Sequence, residues 1–409
     1  MDVLSFVIVG HIDHGKSTLI GRLLYDTDSL APDKIEEIQK ASADQGKGTE
    51  FAYLLDHLEE ERKQGITIDT TQVFFKTPKR RYVIIDAPGH VEFVKNMITG
   101  ASQAEAAVLI VDVVEGVKEQ TKRHSYMLSL LGLYQVVVVL NKMDLVDYSQ
   151  QHFDNIKQDT EKFLDSINIK PLYCIPISAL GGENIAAKSD KMPWYTGPSF
   201  LESLDSLKNL QPPEDKALIF PVQDVYKVDD NRITAGRVEA GVLKAQQTIK
   251  VLPSGHTTKI KSIEKFPSQV DVAVASESIG ITTEDSLFLN RGDIVCGTDA
   301  EPTLTDTFDA TIIWMSKGEF KKDEKITIRC ATQETTAKVE KINNRIDSST
   351  LDIIEQDAGI LKNLEVGQVT IKTKKPIVIK SFNDVKELGR FVFVKGDNIC
   401  AGGIITSGA

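Results

Sequence analysis

Near the start of the chain, the stretch GHIDHGKS at residues 10–17 has the residue types and spacing that hold phosphate. The pattern G-x-x-x-x-G-K-[ST] lets a main chain without bulky side chains close around a polyphosphate and point its N–H groups at the oxygens. In such a loop Gly10, His11, Ile12, Asp13, His14 and Gly15 wrap the α and β phosphates. Lys16 reaches the β and γ phosphates, Ser17 offers a hydroxyl to Mg²⁺, and Thr18 completes the nucleotide-binding stretch at the start of a helix. A second group of residues, DAPGH at 86–90, follows an apolar run. There the Asp86 carboxylate is suited to hold a Mg²⁺-bound water, and the Gly89 N–H to meet a γ phosphate.

Two further motifs close later apolar runs: NKMD at 141–144 and SAL at 178–180. A carboxylate at Asp144 accepts two hydrogen bonds from the N1 and N2 donors of guanine, whereas adenine offers no such pair. Asn141, Lys142, Ser178, Ala179 and Leu180 complete the expected base site, so the nucleotide is expected to be GTP or GDP.

The elements needed to position these residues are legible as alternating β-rich runs and longer amphipathic stretches over the first 208 residues. Strands are expected at 4–9, 81–86, 107–113, 136–141 and 172–177, and helices at 16–25, 117–131 and 151–166. Every motif then falls at the C-terminal end of a parallel strand, where doubly wound sheets bind ligands. The proline-bearing stretch NLQPPED at 209–215 precedes a change to short alternating strands broken by Gly, Pro and Asn. The expected architecture is an α/β P-loop GTPase domain with a mostly parallel sheet at 1–208, followed by two all-β barrel domains at 209–302 and 303–409.

Composition limits the remaining classes. A chain of 409 residues exceeds one ordinary core. Its apolar content of 41% and charged content of 26% are those of an ordinary globular protein. The longest apolar runs, 106–111 and 136–140, are far below the ~20 residues of a membrane helix. The opening residues lack a basic, cleavable leader, so a cytoplasmic protein is expected. A net charge of −11 argues against a broad nucleic-acid surface. The four cysteines (Cys174, Cys296, Cys330, Cys400) show no metal or disulfide spacing and read as thiols within folded cores. Trp194 and Tyr195 in MPWYTGP read as a loop packed on a core in preference to a recognition patch. Lys79, Arg80 and Arg81 read as a solvated hairpin turn.

Taken together, these motifs resemble the GTPases of the translation-factor family over essentially the whole chain. The resemblance implies that GITID at 65–69 is the first switch, with Thr67 closing onto Mg²⁺ and the γ phosphate. The metal set would then be Ser17, Thr67 and Asp86. It also implies that His90 orients the attacking water, so that Lys16, Thr67 and His90 form the catalytic set. Asp13 resembles a family position linked to a monovalent cation.

Within that family, LIGRLLYDT at 19–27, LLDHLEEERKQGITID at 54–69, RHSYMLSLLG at 123–132, NKMDLVDYS at 141–149, KVLPSG at 250–255 and the Trp314-Met315 pair resemble the GTPase subunits of heterodimeric ATP sulfurylases. That likeness implies a smaller catalytic adenylyltransferase partner and coupling of GTP hydrolysis to synthesis of adenosine 5′-phosphosulfate. No membrane and no phosphosulfate kinase domain are expected. GHIDHGKST, GITID, MPWY and GRVEAGVLK are shared with elongation factors that carry aminoacyl-tRNA, the alternative under which a nucleic-acid partner is expected. His11 and His14 also resemble those factors, since the sulfurylase subunits more often have Ser and Asp there. The stretch ITIRCATQETTAKVEK at 326–341 lacks the histidine-bearing run of tRNA carriers. A third alternative is a GTPase subunit of another adenylyltransferase complex.

Overall fold

A computed structural model describes residues 2–30, 71–87, 104–209, 214–228, 231–265, 268–285 and 288–407. The chain divides into two compact units, Met1–Leu210 and Gln211–Ala409.

Successive side chains of a strand point to opposite faces, so a strand that is apolar throughout needs cover on both. The first unit answers this with strands β1 (Val3–Gly10), β2 (Thr71–Lys76), β3 (Arg81–Asp86), β4 (Ala106–Asp112), β5 (Val136–Asn141) and β6 (Tyr173–Pro176). Every residue of β4 and β5 is buried. The sheet order is β2-β3-β1-β4-β5-β6, parallel except for β2, which runs antiparallel to β3. Helices α1 (Lys16–Asp26), α2 (Glu119–Leu130), α3 (Gln150–Ser166) and α4 (Phe200–Ser206) accompany it. One core cluster joins Phe6 and Ile8 of β1, Leu19 and Leu23 of α1, Val137 and Val139 of β5 and Phe200 of α4. Each such side chain contributes about 1.5 to 3 kcal/mol by leaving water. The Ser199 hydroxyl accepts from the Glu202 N–H while the Glu202 carboxylate accepts from the Ser199 N–H, a reciprocal cap that starts α4.

The register matters most for the site. Ile8 lies beside Asp86, Gly10 beside Ile110, and Asp112 beside Asn141, so the ends of β1, β3, β4 and β5 share one edge of the sheet. The expected strands and helices appear with shifted ends; α2, for instance, begins at Glu119 because Lys118 is still extended. Strand β2 is an addition. It is an edge strand with Phe74 exposed, so it lacks the continuous apolar run that marks its neighbours. Thr77 N–H donates to the Arg80 carbonyl at 2.9 Å to close the β2–β3 turn, and the Arg80 guanidinium donates to Leu207 O at 2.8 Å.

Among its described residues the second unit has β-strands and one helical turn, Lys386–Gly389. In its first half the strands Thr248–Leu252, Ile294–Gly297, Ile219–Val228, Asn231–Arg237, Ser278–Thr283 and His256–Lys265 pair in that order, and the last pairs back to the first. In its second half Lys325–Cys330, Arg390–Lys395, Asn398–Ser407, Thr303–Trp314, Glu365–Ile379 and Gln333–Asp347 close in the same way. Closure removes the free edges that an open sheet exposes. Each barrel has its own core, Phe220, Leu243 and Ile281 in one and Phe308, Trp314 and Phe393 in the other. Cys296, Cys330 and Cys400 are buried, Cys174 is half-buried, and all four are free thiols.

Candidate nucleotide-binding site

The phosphate loop leaves β1 pressed against β4. A Cβ on Gly10 would stand 2.5 Å from the Ile110 carbonyl oxygen, so no other residue fits without moving the strand. The loop then turns through Asp13 and Gly15, both at positive φ (59° and 94°). A Cβ on Gly15 would fall 2.3 Å from the Asn141 amide nitrogen, which makes this glycine a requirement of packing as well as of conformation. Helix α1 starts at Lys16 with no side-chain cap and no acidic residue in its first turn. Its first N–H groups and the positive end of its dipole are therefore left for an anion.

Lys16 is buried, and its ammonium donates to the carbonyls of Gly10 (3.1 Å) and His11 (2.9 Å). Burial pushes its pKa down to about 8, opposed by the charges of Asp86 and Asp13. The half-buried Ser17 and Thr18 follow in the first turn of α1, and Asp86 is buried at the end of β3. A hydroxyl and a carboxylate are hard oxygen donors of the kind Mg²⁺ takes together with phosphate oxygens and waters. Among the described residues no group of three His, Cys, Asp or Glu side chains is placed to hold a metal. Thr67, Gly89 and His90 lie outside the described residues.

His11 and His14 belong to the loop through their main chain. The His14 ring is fully buried; its Nδ1 lies 3.2 Å from the Asp112 N and 3.4 Å from the Ile110 carbonyl oxygen, and its Nε2 lies 3.8 Å from the Glu115 carboxylate. Burial lowers its pKa to about 4, so the ring is neutral at physiological pH. The His11 ring stands edge-on to it at 5.2 Å. On α2, His124 is likewise buried and lowered to about 3, first by burial and then by the charges of Lys16 and Arg123.

The base end is built from side chains that hold one another. The Asn141 amide donates to the His14 carbonyl at 2.8 Å and accepts from the Ala179 N–H at 2.9 Å. One side chain thus ties the phosphate loop, β5 and the SAL turn together. Ser178, fully buried, donates its hydroxyl to the Asp144 carboxylate at 2.6 Å and accepts from the Gly181 N–H at 3.1 Å. This orients one carboxylate oxygen and leaves the other lone pairs for a ligand. Lys142, at φ 67°, places its ammonium 2.7 Å from Asp112. Burial raises the Asp112 carboxyl, but Lys142 and the N–H groups of Val114 and Glu115 outweigh it and hold the group below its ordinary value. Leu180 is exposed beside these groups, as is Leu145.

The structure therefore brings Gly10 to Thr18, Asp86, Asn141, Lys142, Asp144 and Ser178 to Leu180 to one edge of one sheet. Asp112 joins them without belonging to a motif. Its only signal in the sequence is that, like Asp86, it closes an apolar strand.

Comparison with known proteins agrees with this geometry. Residues 1–218 match the elongation factor Tu GTP-binding domain, residues 231–296 match elongation factor Tu domain 2, and residues 307–406 match the GTP-eEF1A C-terminal domain-like family. The elongation factor 1-alpha of Pyrococcus furiosus is 38% identical over 417 aligned residues, covering 98% of this chain and 97% of that protein. Two proteins named sulfate adenylyltransferase subunit 1 are as similar. That of Tolumonas auensis is 38% identical, covering 96% of this chain and 84% of its own length. That of Alteromonas mediterranea is 37% identical with the same coverage. A chain with this phosphate-loop sequence, this pair of interlocked turns and this likeness from end to end belongs to the elongation factor Tu family of translation-factor GTPases.

Proposed function

We propose that this GTPase is the energy-coupling subunit of an ATP sulfurylase, acting with a smaller adenylyltransferase that forms adenosine 5′-phosphosulfate from ATP and sulfate. The observation that carries the reading is the hairpin formed by Lys325–Cys330 and Gln333–Asp347, which has no histidine where tRNA carriers have a histidine-bearing run. The similarity to proteins named sulfate adenylyltransferase subunit 1 supports it. The chain has one phosphate-binding loop, whose partner turns suit guanine, and among its motifs there is none for a second nucleotide. Adenylyl transfer therefore falls to the partner. We place the complex in the cytoplasm.

In this chain Lys16 neutralises the β and γ phosphates, and the N–H groups of the loop and of α1 hold them in place. Asp144, oriented by Ser178, reads guanine. Ser17 and Asp86 would hold Mg²⁺, which supplies charge neutralisation on the phosphate oxygens when bound. Thr67 and His90 would complete the site, one on the γ phosphate and one on the attacking water, and Asp13 would lie near a monovalent cation. Free energy passes to the partner only as far as that partner binds the GTP and GDP forms differently.

The second reading is an elongation factor delivering aminoacyl-tRNA. It is favoured by His11 and His14 and by the elongation factor 1-alpha of Pyrococcus furiosus, whose own length is covered to 97%. Reconstitution separates the two. Phosphate release from GTP and formation of adenosine 5′-phosphosulfate are measured in parallel, with an adenylyltransferase partner, ATP and sulfate in one arm and aminoacyl-tRNA and ribosomes in the other. Stimulation only in the first arm is expected, and stimulation only in the second overturns the reading.

A further inference from the structure

The segment carrying MPWY remains without a role in the site, yet it grips the turn that bears Asp144. After the 3-10 turn Met143–Val146 the chain passes through Asp147 and Tyr148, both at positive φ (50° and 56°). Two successive non-glycine residues in this region are unfavourable and persist only when their surroundings hold them. The hold comes from outside the motif. The Trp194 indole N–H donates to the Tyr148 carbonyl at 3.0 Å, while its ring packs on Phe153 at 5.2 Å. The Lys191 ammonium reaches the Tyr148 hydroxyl at 3.3 Å and lies 5.1 Å from the centre of that ring. The same ammonium pairs with the Glu183 carboxylate at 2.7 Å. Glu183 belongs to the other base-site turn: its N–H and carbonyl both bond to Ser178, the residue that orients Asp144. The Ser189 hydroxyl also donates to Glu183 and accepts from the Lys191 N–H.

We infer that Lys191 and Trp194 are positioning residues that brace the two base-reading turns against each other, and so set how long and how selectively a guanine nucleotide is held. This rests on the assignment of Asp144 as the base reader. Neither residue touches the proposed ligand positions; each acts through Tyr148 or Glu183. The brace keeps the Asp144 carboxylate where it meets both guanine donors, so its loss penalises a base with two donors more than one with a single donor.

The test uses the full chain, with fluorescent GDP and inosine diphosphate, which lacks the 2-amino donor, followed by stopped flow. Lys191→Met keeps the aliphatic stem and removes the charge; Trp194→Phe keeps the ring packing and removes the donor. Each is expected to release GDP about 3- to 10-fold faster, the range for one lost hydrogen bond, with association rates unchanged. The preference for GDP over inosine diphosphate should shrink, and Lys191→Arg should stay near wild type. A general loosening of the fold would speed release of both nucleotides alike and lower the melting temperature, and that pattern overturns the brace. So does unchanged GDP release in Lys191→Met, a surface variant that does not endanger folding. A wild-type protein that holds the two nucleotides equally well overturns instead the assignment of Asp144.

Discussion

The two ends of the site are built on different principles. At the proposed phosphate end the features are main chain and buried charge: two glycines with no open space for a Cβ, the uncapped N-terminus of α1, and an ammonium pushed down to about 8 by burial. At the base end they are side chains oriented by side chains, with Ser178 on Asp144, Lys142 on Asp112, and Asn141 between two loops. On the proposed assignment the first arrangement would respond to charge and tolerate any base, whereas the second would respond to the pattern of donors on a base and be indifferent to how many phosphates follow it. Asn141 is the joint between them, since its one amide meets both the phosphate loop and the SAL turn.

The largest effect is expected where charge is concentrated. Lys16→Ala removes the cation proposed to face the β and γ phosphates and leaves the Gly10 and His11 carbonyls without their donor. GTP affinity should fall by roughly 100-fold or more, as expected for charge-assisted hydrogen bonds lost in a buried site. Calorimetric titration with GTP, GDP and GMP makes the comparison strict. The loss should be large for GTP and GDP and small for GMP, and equal losses for all three would mean that the phosphate end is not where Lys16 acts.

At the base end Asp144→Asn should cost on the order of 2 to 4 kcal/mol in GTP binding, because the guanine donors lose a charged acceptor. The same variant should gain affinity for xanthosine triphosphate, whose base offers an acceptor where guanine has the amino group. Ser178→Ala, which only frees the carboxylate to rotate, should cost about 1 kcal/mol. If Asp144→Asn binds GTP as wild type does and still rejects xanthosine triphosphate, the division of labour between the two ends fails.

The difference between the ends also explains what was legible in the sequence. A main-chain cradle needs its glycines, lysine and hydroxyl in one uninterrupted run, so GHIDHGKS announces itself. The parallel sheet was legible for a similar reason, since strands buried on both faces, such as VVVVLN, carry continuous apolar runs. Edge strand β2 and the short α4 carry no such run. Side-chain networks join residues brought together only by register. Ser178 meets Asp144, and Asp112 meets Lys142, because strands β4, β5 and β6 end level with one another. Nothing in NKMD or SAL declares which residue orients which. The brace from Lys191 and Trp194 was hidden further, because MPWY reads as a packed aromatic pair, which it also is. Thr67, Gly89 and His90 stay where the sequence alone puts them.

The smallest effect sharpens the comparison through pH. Two buried histidines, His14 and His124, stand at the phosphate end, lowered by burial to about 4 and about 3. Around His14, the charges of Asp112 and Glu115 oppose the shift and that of His11 adds to it. Around His124, the charges of Lys16, Arg123 and His11 all add to it. An unfolded chain binds protons on both near the ordinary value of about 6.5, where the folded chain does not. The sign follows: stability from these groups is fully present above about pH 6.5 and is lost as pH falls through 6.5 toward the lowered values. Each histidine should cost on the order of 1 kcal/mol one pH unit below 6.5. Thermal melts between about pH 7.5 and about pH 5.5 should therefore show a decline in the wild type that is shallower in His14→Asn and in His124→Gln. Ser178→Ala, at the base end, should follow the wild-type slope. A histidine variant that declines as steeply as the wild type would place the acid sensitivity elsewhere, and a Ser178 variant with a flattened slope would show that the two ends titrate as one.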